Sequence, residues 1–285
     1  MKQRLPNFFI VGAPKAGTTA LFRYLSMHPE VFMSSVKEPN FFSFPDIAAQ
    51  KLYYNVKPVS DWNRYTELFS SANGAKAIGE ASVSYLFYPD AAARLHEAFP
   101  TARIVIVLRN PVERAWSHYM MDRKLNLVSR SFEDVVTGDK NALHYQQYVK
   151  LGLYAKQVET YIRLFGRAKV FIGLHDDMKK DFNAFAENVC CFLDVVPSPF
   201  KNGHKYNSAE EPRNRFVRIL YGSPARRAFA KKIAGPFVPA VKSLLFRQPE
   251  MRPGHAAVGA LRELYTPDLQ RLEQATGLDL RAWYE

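Results

Sequence analysis

The feature that most constrains this chain is a glycine-bracketed loop near its start, Gly12-Ala13-Pro14-Lys15-Ala16-Gly17. The apolar run 8–11 before the loop is typical of a buried strand, and apolar residues recur at helical spacing from Leu21 onward. Glycine at both ends of the loop lets the backbone turn tightly and approach a ligand. Loop amides and the N-terminus of a helix that begins at Thr18 would converge on one point, which suits an anion. The segment is therefore predicted to hold a phosphate or sulfate group.

The lysine of this loop does not stand where magnesium-dependent nucleotide kinases have it. Those proteins read G-x-x-x-x-G-K-[ST], with lysine directly after the second glycine. Here Gly12 and Gly17 keep the glycine spacing, but Thr18 follows the second glycine and Lys15 lies in the middle of the loop. Lys15 offers a mobile positive charge, and Thr18 and Thr19 offer hydroxyl donors. The pattern favours an anion-binding loop of another class, while a kinase with a degenerate loop stays an alternative.

The composition indicates a folded, basic protein. The 285 residues are 47% hydrophobic, enough for a sizeable core in one large domain or two small ones. The net charge of +12 favours anionic partners: a nucleotide, a sulfated or phosphorylated glycan, a membrane surface or nucleic acid. The start leads straight into the first strand and no apolar run is long enough for a membrane span, so we expect a cytoplasmic protein without a signal peptide. The adjacent Cys190 and Cys191 are expected to lie on a helix as two reduced thiols in the protein core.

A second strong strand signal ends in a cation. Residues 104–108 are five consecutive apolar residues, as in a parallel strand that is covered on both faces, and Arg109 follows them. Ligands of open α/β sheets collect at the carboxyl ends of the strands, so Arg109 and Ser117 of the next helix are placed to hold a second phosphate. An ATPase often has an aspartate near such a strand end to help position magnesium. We therefore predict that cationic side chains bind the anion directly, without a metal.

Strand and helix signals alternate through the first two thirds of the chain. Residues 77–82 and 169–174 predict further strands, and 90–98, 132–136 and 181–193 predict helices. A surface helix is predicted around Trp62, Tyr65, Leu68 and Phe69, and residues 145–165 are predicted to form a helix that is broken near Gly152. This alternation predicts a three-layer α/β fold of the P-loop-like kind, with a central parallel sheet flanked by helices.

A charged pair precedes an aromatic cluster in Lys37-Glu38-Pro39-Asn40-Phe41-Phe42. On its own, the segment is typical of a loop held to the core by its phenylalanines, with both charges in solvent. Its position one helix after the anion-binding loop makes Glu38 a candidate general base.

The basic residues concentrate towards the C-terminus. Residues 213–252 hold ten lysines and arginines against one acidic residue, interleaved with apolar residues and divided by Gly-Pro turns. Such pieces are typical of helices with solvated basic faces, and we predict at most weak, salt-sensitive contact with an anionic membrane. No nucleic-acid recognition module is visible. We find no internal repeat or linker, and we predict a single domain over residues 1–285 with a basic helical C-terminal region, 213–285.

Several of these motifs resemble those of the sulfotransferases that use 3′-phosphoadenosine 5′-phosphosulfate (PAPS). Residues 13–19 resemble the 5′-phosphosulfate loop of the family, and 108–119, Leu-Arg-Asn-Pro-Val-Glu-Arg-Ala-Trp-Ser-His-Tyr, resemble its 3′-phosphate motif. The segment 37–42 between them resembles the heparan sulfate branch. Residues 207–215 and 264–268 look like bacterial members. The resemblance covers nearly the whole chain, and it is the pair of nucleotide motifs that makes it specific.

The resemblance implies a role for each matching residue. Lys15 would contact the sulfuryl group and stabilise charge on the leaving phosphate, and Glu38 would take the proton from the acceptor hydroxyl or amine. The co-substrate would be PAPS, the product 3′-phosphoadenosine 5′-phosphate (PAP), and no metal would be required. The predicted cofactor-binding residues are Pro14, Lys15, Ala16, Gly17, Thr18 and Thr19 at the 5′-phosphate, Arg109 and Ser117 at the 3′-phosphate, and in addition Tyr154, Arg213 and Arg215.

Two departures from the family pattern concern the acceptor. Heparan-type enzymes carry a second lysine in a Glu-Lys-Ser/Thr segment, where this chain has Glu80-Ala81-Ser82. Either Lys37 or another cation replaces that lysine, or the acceptor differs from heparan. Position 40, often histidine in related glycan enzymes, is Asn40. The acceptor stays open among glycans, lipids and small molecules, as do O- versus N-sulfation and the oligomeric state. A non-catalytic module that binds nucleotide or membrane is the remaining alternative.

Overall fold

This computed structural model describes residues 4–51, 54, 58–198, 211–212, 246–247 and 252–284. They group into two compact units. The first unit comprises Met1–Asn110, Leu153–His204 and Thr266–Glu285, and the second comprises Pro111–Gly152 and Lys205–Tyr265. A grouping of this kind does not test how many domains fold independently, so the single domain over 1–285 stays a prediction.

The first unit is built on a parallel sheet of five strands in the order β2-β3-β1-β4-β5. Every residue of the central strand β1 is buried, as is expected of a parallel strand with both faces covered. The strands run Phe8–Gly12 (β1), Val31–Met33 (β2), Ala77–Ala81 (β3), Arg103–Leu108 (β4) and Val170–Leu174 (β5). The neighbours β3 and β4 pair with β1 in parallel, which places the carboxyl ends of all three strands at one edge of the sheet.

Helices alternate with these strands, so the predicted α/β fold with a central parallel sheet flanked by helices is confirmed. The first helix buries Leu21, Tyr24 and Leu25, the apolar stripe that the sequence predicts. The helices of this unit are Thr18–Ser26 (α1), Phe44–Gln50 (α2), Trp62–Glu67 (α3), Pro89–Ala98 (α4), Ala155–Phe165 (α8), His175–Lys180 (α9) and Phe182–Leu193 (α10). Short 3₁₀ turns lie at Arg167–Lys169 and Arg281–Trp283.

The second unit is mainly helical within its described residues. A capping box joins Ser131 and Asp134 at the start of α6, and the Tyr265 hydroxyl donates to the Val149 carbonyl oxygen (2.9 Å). Its elements are Pro111–Lys124 (α5), Phe132–Val136 (α6), Leu143–Tyr148 (α7), a 3₁₀ turn at Lys150–Gly152, and the antiparallel pair Glu211–Pro212 (β6) and Phe246–Arg247 (β7). A long helix, His255–Thr276 (α11), begins in this unit, and its residues from Thr266 onward belong to the first unit.

The surface helix predicted around Trp62 is present as α3, with Trp62 exposed and Tyr65 buried against Phe41. One local prediction is wrong. The two cysteines are not both in the core: α10 buries Cys190 and exposes Cys191, since consecutive helical residues lie about 100° apart.

Most of the basic segment 213–252 lies outside the described residues, so the helices predicted there stay predictions. Among the described helices, none combines the length and the apolar composition needed to cross a bilayer.

Candidate active site

The anion-binding loop connects β1 to α1, and both of its glycines are required by geometry. A Cβ at Gly12 would lie 2.6 Å from the Cβ of Leu86, closer than atoms can pack. Gly17 is the residue before α1 and has a left-handed φ of 89°, and a Cβ there would lie 2.7 Å from the sulfur of Met178. Since L side chains rarely adopt such a φ, glycine alone fits both the conformation and the space. The loop therefore follows a single tight path from β1 to α1.

This loop is tied directly to the strand that carries Arg109. The Ala13 amide donates to the Val107 carbonyl oxygen (2.7 Å), which fixes the loop to the end of β4. The Arg109 guanidinium donates from Nη1 to the Lys15 carbonyl oxygen (3.2 Å). Two cations that are 94 residues apart in sequence therefore belong to one local structure.

Tyr154 fixes the backbone of Arg109. Its ring is fully buried, and its hydroxyl donates to the Arg109 carbonyl oxygen (2.9 Å). Tyr154 thus holds the backbone from which the guanidinium projects, and direct contact between Tyr154 and a nucleotide stays a prediction.

The other predicted cofactor residues fall into three groups. Ala16 and Thr18 are buried in the loop and first turn, whereas Pro14, Lys15 and Thr19 are half-buried. Ser117 is half-buried on α5 of the second unit. Arg213 and Arg215 lie outside the described residues. The structure thus brings together the loop, Arg109 and Tyr154 within the first unit.

Glu38 lies on the same edge of the sheet as the loop. Its amide donates to the carbonyl oxygen of Ala81 (2.8 Å), the last residue of β3, and Ala81 is paired with Ile10 of β1. The Glu38 side chain is 40% exposed and forms an ion pair with Lys37, which is 21% exposed. The Glu38 carboxylate is therefore accessible from solvent and lies beside a cation.

The backbone of this segment has an unusual conformation. Glu38 and Asn40 have left-handed φ values of 62° and 53°. Asparagine tolerates this region because its short amide can bond the local backbone, and here its Nδ2 donates to the Glu38 carbonyl oxygen (2.8 Å). Glutamate has no such compensation, so its surroundings must impose the conformation.

One residue of the region was missed by the sequence reasoning, which considered 80–82 only for the absent lysine. Glu80 is completely buried, and its carboxylate accepts hydrogen bonds from the hydroxyls of Ser82 and Tyr65 (2.6 Å each). Burial raises the pKa of Glu80 to about 7, and hydrogen bonds from Ser82, Tyr65 and Tyr85 oppose that rise. A carboxylate inside an otherwise apolar strand was the signal that could have drawn attention to it.

The described part of the chain contains no group of three histidine, cysteine or acidic side chains arranged to hold a metal ion. The donors gathered around the loop are amides, hydroxyls and cations, and this set is suited to an anionic ligand.

Comparison with known proteins gives a consistent result. The model of the sulfotransferase domain matches residues 5–222. Human carbohydrate sulfotransferase 15 is 26% identical and aligns with 98% of this chain, which spans about half (54%) of the human protein's length. The crystal structure of a sulfotransferase from Alicyclobacillus acidocaldarius is 31% identical, with a TM-score of 0.74 and coverage of 99% of this chain and 100% of that one.

A mouse sulfotransferase solved with PAP shares the fold at 18% identity, with a TM-score of 0.51 and coverage of 99% of this chain and 90% of that one. Because the family model spans more than half of the sequence, the resemblance in the loop and in the Arg109 motif is confirmed at the level of the family. This chain belongs to the sulfotransferase family.

Proposed function

We propose that this protein transfers a sulfuryl group from PAPS to a hydroxyl or amine of an acceptor. The observation that carries the proposal is the hydrogen bond from Arg109 to the Lys15 carbonyl oxygen, because it joins the two predicted phosphate-binding elements in one place. The mouse relative solved with PAP has the same fold, which supports the choice of nucleotide.

The loop supplies the contacts for the 5′ end of the nucleotide. Amides of the loop and of the first turn of α1 converge with the hydroxyls of Thr18 and Thr19, and the N-terminus of α1 adds a partial positive charge. Lys15 stabilises the negative charge that grows on the phosphate as it leaves. Arg109 binds the 3′-phosphate, and Ser117, Arg213 and Arg215 keep the nucleotide-binding role that the sequence predicts.

Glu38 acts as the general base. The acceptor oxygen or nitrogen forms a bond to sulfur while the bond between sulfur and the bridging phosphate oxygen breaks. The bonding electrons leave with PAP, and the acceptor's proton passes to the Glu38 carboxylate. Lys37 lies beside this carboxylate and takes the place of the lysine that is absent at Ala81. The positive charge that heparan-type enzymes place on β3 is then supplied by the Glu38 segment itself.

The acceptor is proposed as a class only. The human relative is named as a carbohydrate sulfotransferase, which makes a glycan the first candidate, and lipid and small-molecule acceptors follow. Cytoplasmic location and weak membrane contact through 213–252 remain proposals from the sequence.

The test is transfer of radiolabelled sulfate from PAPS to a defined panel: de-N-sulfated heparin, chondroitin, 2-naphthol and dodecanol. We expect the native protein to label at least one of them in the presence of EDTA, and the Lys15→Ala variant to label it far more slowly. Labelling of the chosen acceptor at the native rate by Lys15→Ala would contradict the proposed chemistry. ATP turnover that requires magnesium, with no transfer from PAPS, would favour a kinase instead.

A further inference from the structure

A buried network of hydrogen bonds connects the centre of the first unit to the Glu38 segment. It begins at Glu80 on β3, whose side chain has no exposed surface. The Ser82 hydroxyl donates to Oε1 of this carboxylate, and the Tyr65 hydroxyl donates to Oε2. The two carboxylate oxygens therefore belong to two different branches of the network, one through Ser82 and one through Tyr65.

The Ser82 branch leads to the candidate base. A serine hydroxyl has a single proton, and Ser82 gives it to Glu80, so its lone pairs are left to accept. They accept from the Asn40 amide (3.0 Å). Asn40 in turn donates from its side chain to the Glu38 carbonyl oxygen (2.8 Å). Glu80 thus fixes the direction of the Ser82 hydroxyl, and Ser82 fixes the Asn40 backbone.

These hydrogen bonds hold a backbone segment that has an unusual conformation. Glu38 and Asn40 both have left-handed φ values, and residues with a side chain keep such conformations only where neighbouring groups impose them. The Glu38 amide is already bonded to β3 through the Ala81 carbonyl oxygen. The Asn40 amide is the second point of attachment, and two points define the course of the residues between them.

Further contacts secure Asn40 from its other side. The Ser84 hydroxyl donates to the Asn40 side-chain oxygen (2.7 Å), and the Ser43 and Ser84 hydroxyls share a hydrogen bond (2.7 Å). These contacts orient the Asn40 amide group but leave its backbone N–H to Ser82. The Ser82 contact is therefore the one that links the backbone to Glu80.

We propose that Glu80 is a positioning residue for sulfuryl transfer, which holds the Glu38 backbone through Ser82 and Asn40 and so aims the Glu38 carboxylate. The inference rests on the proposed function, since it needs Glu38 to be the base. Glu80 acts through other groups because it is fully buried and both of its oxygens accept from protein hydroxyls.

The Tyr65 branch provides a matched control. Tyr65→Phe removes the donor to the other carboxylate oxygen and keeps the ring that stacks on Phe41 (centroids 4.5 Å apart). It therefore perturbs the same buried carboxylate without breaking the path to Asn40. Ser82→Ala removes only the hydroxyl between Glu80 and Asn40, so it tests the path with a small change if Glu80→Leu fails to fold.

The first experiment is a double-mutant cycle with labelled PAPS and the panel acceptor of highest turnover. In the native background, Glu80→Leu, which removes both acceptor oxygens, and Ser82→Ala should each lower kcat by about 10-fold to 100-fold, as displaced catalytic groups do, while KM for PAPS changes less than about twofold. In the Glu38→Gln background the same changes should lower kcat less than about twofold, because the base that they position is gone. Tyr65→Phe should leave kcat near the native value.

Equal losses of kcat in both backgrounds would overturn the proposal, because they would show a structural effect that does not pass through Glu38. Native kcat in Ser82→Ala would also overturn it. Native kcat in Glu38→Gln alone would overturn the proposed function, which separates the two failures.

Amide hydrogen exchange measures the positioning without any acceptor. The Asn40 amide should exchange at least about tenfold faster in Ser82→Ala than in the native protein, and at the native rate in Tyr65→Phe, because only the first variant removes its acceptor. Unchanged exchange at Asn40 in Ser82→Ala would overturn the proposal.

Discussion

The anion-binding loop and the Glu38 segment achieve fixed geometry in different ways. The loop is fixed by space and backbone conformation: glycine is required at Gly12 by the neighbouring Leu86 and at Gly17 by a φ of 89°. The Glu38 segment contains no glycine and holds two left-handed residues through side chains that come from β3 and the turn after it. The glycines of the loop can be recognised in the sequence, whereas the partners of the Glu38 segment become visible only in the folded chain.

In the proposed function, the loop binds the nucleotide and the Glu38 segment takes up the proton, so the two ways of fixing geometry serve two different tasks. Anion binding uses main-chain amides whose directions follow from the path of the loop between β1, α1 and the end of β4. Aiming a carboxylate needs a particular backbone course, and here partners 42 residues away along the chain supply it.

The largest effect is expected at the candidate base. Glu38→Gln keeps the shape of the side chain but removes its capacity to take a proton, so kcat should fall by about 10²–10⁴-fold with little change in KM for PAPS. Steady-state transfer from labelled PAPS measures both constants. Glu187→Gln, an exposed glutamate on α10, is the matched control and should keep the native kcat. A rise in KM without loss of kcat would place Glu38 in binding instead.

Lys15→Ala should have the next largest effect. Loss of a charge that stabilises the leaving phosphate lowers kcat by about 10²–10³-fold. The control is Lys156→Ala on α8, whose side chain is exposed. Single-turnover measurements with saturating PAPS isolate the chemical step. A single-turnover rate equal to that of the native protein would contradict the role of Lys15 in that step.

Gly12→Ala tests the steric part of the comparison. The added methyl group would collide with Leu86, and overpacking of this kind destabilises by about 1–3 kcal/mol. Urea unfolding measures the loss. Gly259→Ala on α11 is the control, because a Cβ there meets nothing within 4 Å and alanine favours a helix by up to about 1 kcal/mol. Equal stability of Gly12→Ala and the native protein would show that the loop relaxes.

These residues also show what sequence could and could not predict. The strands, the helix stripes and the glycine loop follow from local periodicity and spacing, so the fold was predictable. The exposure of Cys191 also follows from periodicity, because the buried residues Phe185, Val189 and Cys190 of α10 recur at helical spacing and leave Cys191 outside that face. The part played by Glu80 depends on contacts with residues distant in sequence, and these arise from strand order rather than from any motif.

The smallest effect concerns pH and Glu80. Folding raises the pKa of Glu80 from 4.5 to about 7, so between these values the folded state binds more protons than the unfolded state. The free energy of unfolding should therefore fall as pH rises through this range, and Glu80→Gln should lack that part of the fall. Urea unfolding of both proteins across the range measures the difference. A difference that does not change with pH would contradict the raised pKa.

The central claim is that Lys15 and Arg109 belong to one site for PAPS that binds without a metal. Calorimetry with PAP in EDTA tests it most directly. We expect the native protein to bind PAP, Arg109→Ala to bind it about 10-fold to 100-fold more weakly because a charge-assisted contact is lost, and the exposed-residue control Arg163→Ala to bind it as the native protein does. Binding of ATP that requires magnesium, with no binding of PAP, would contradict the account.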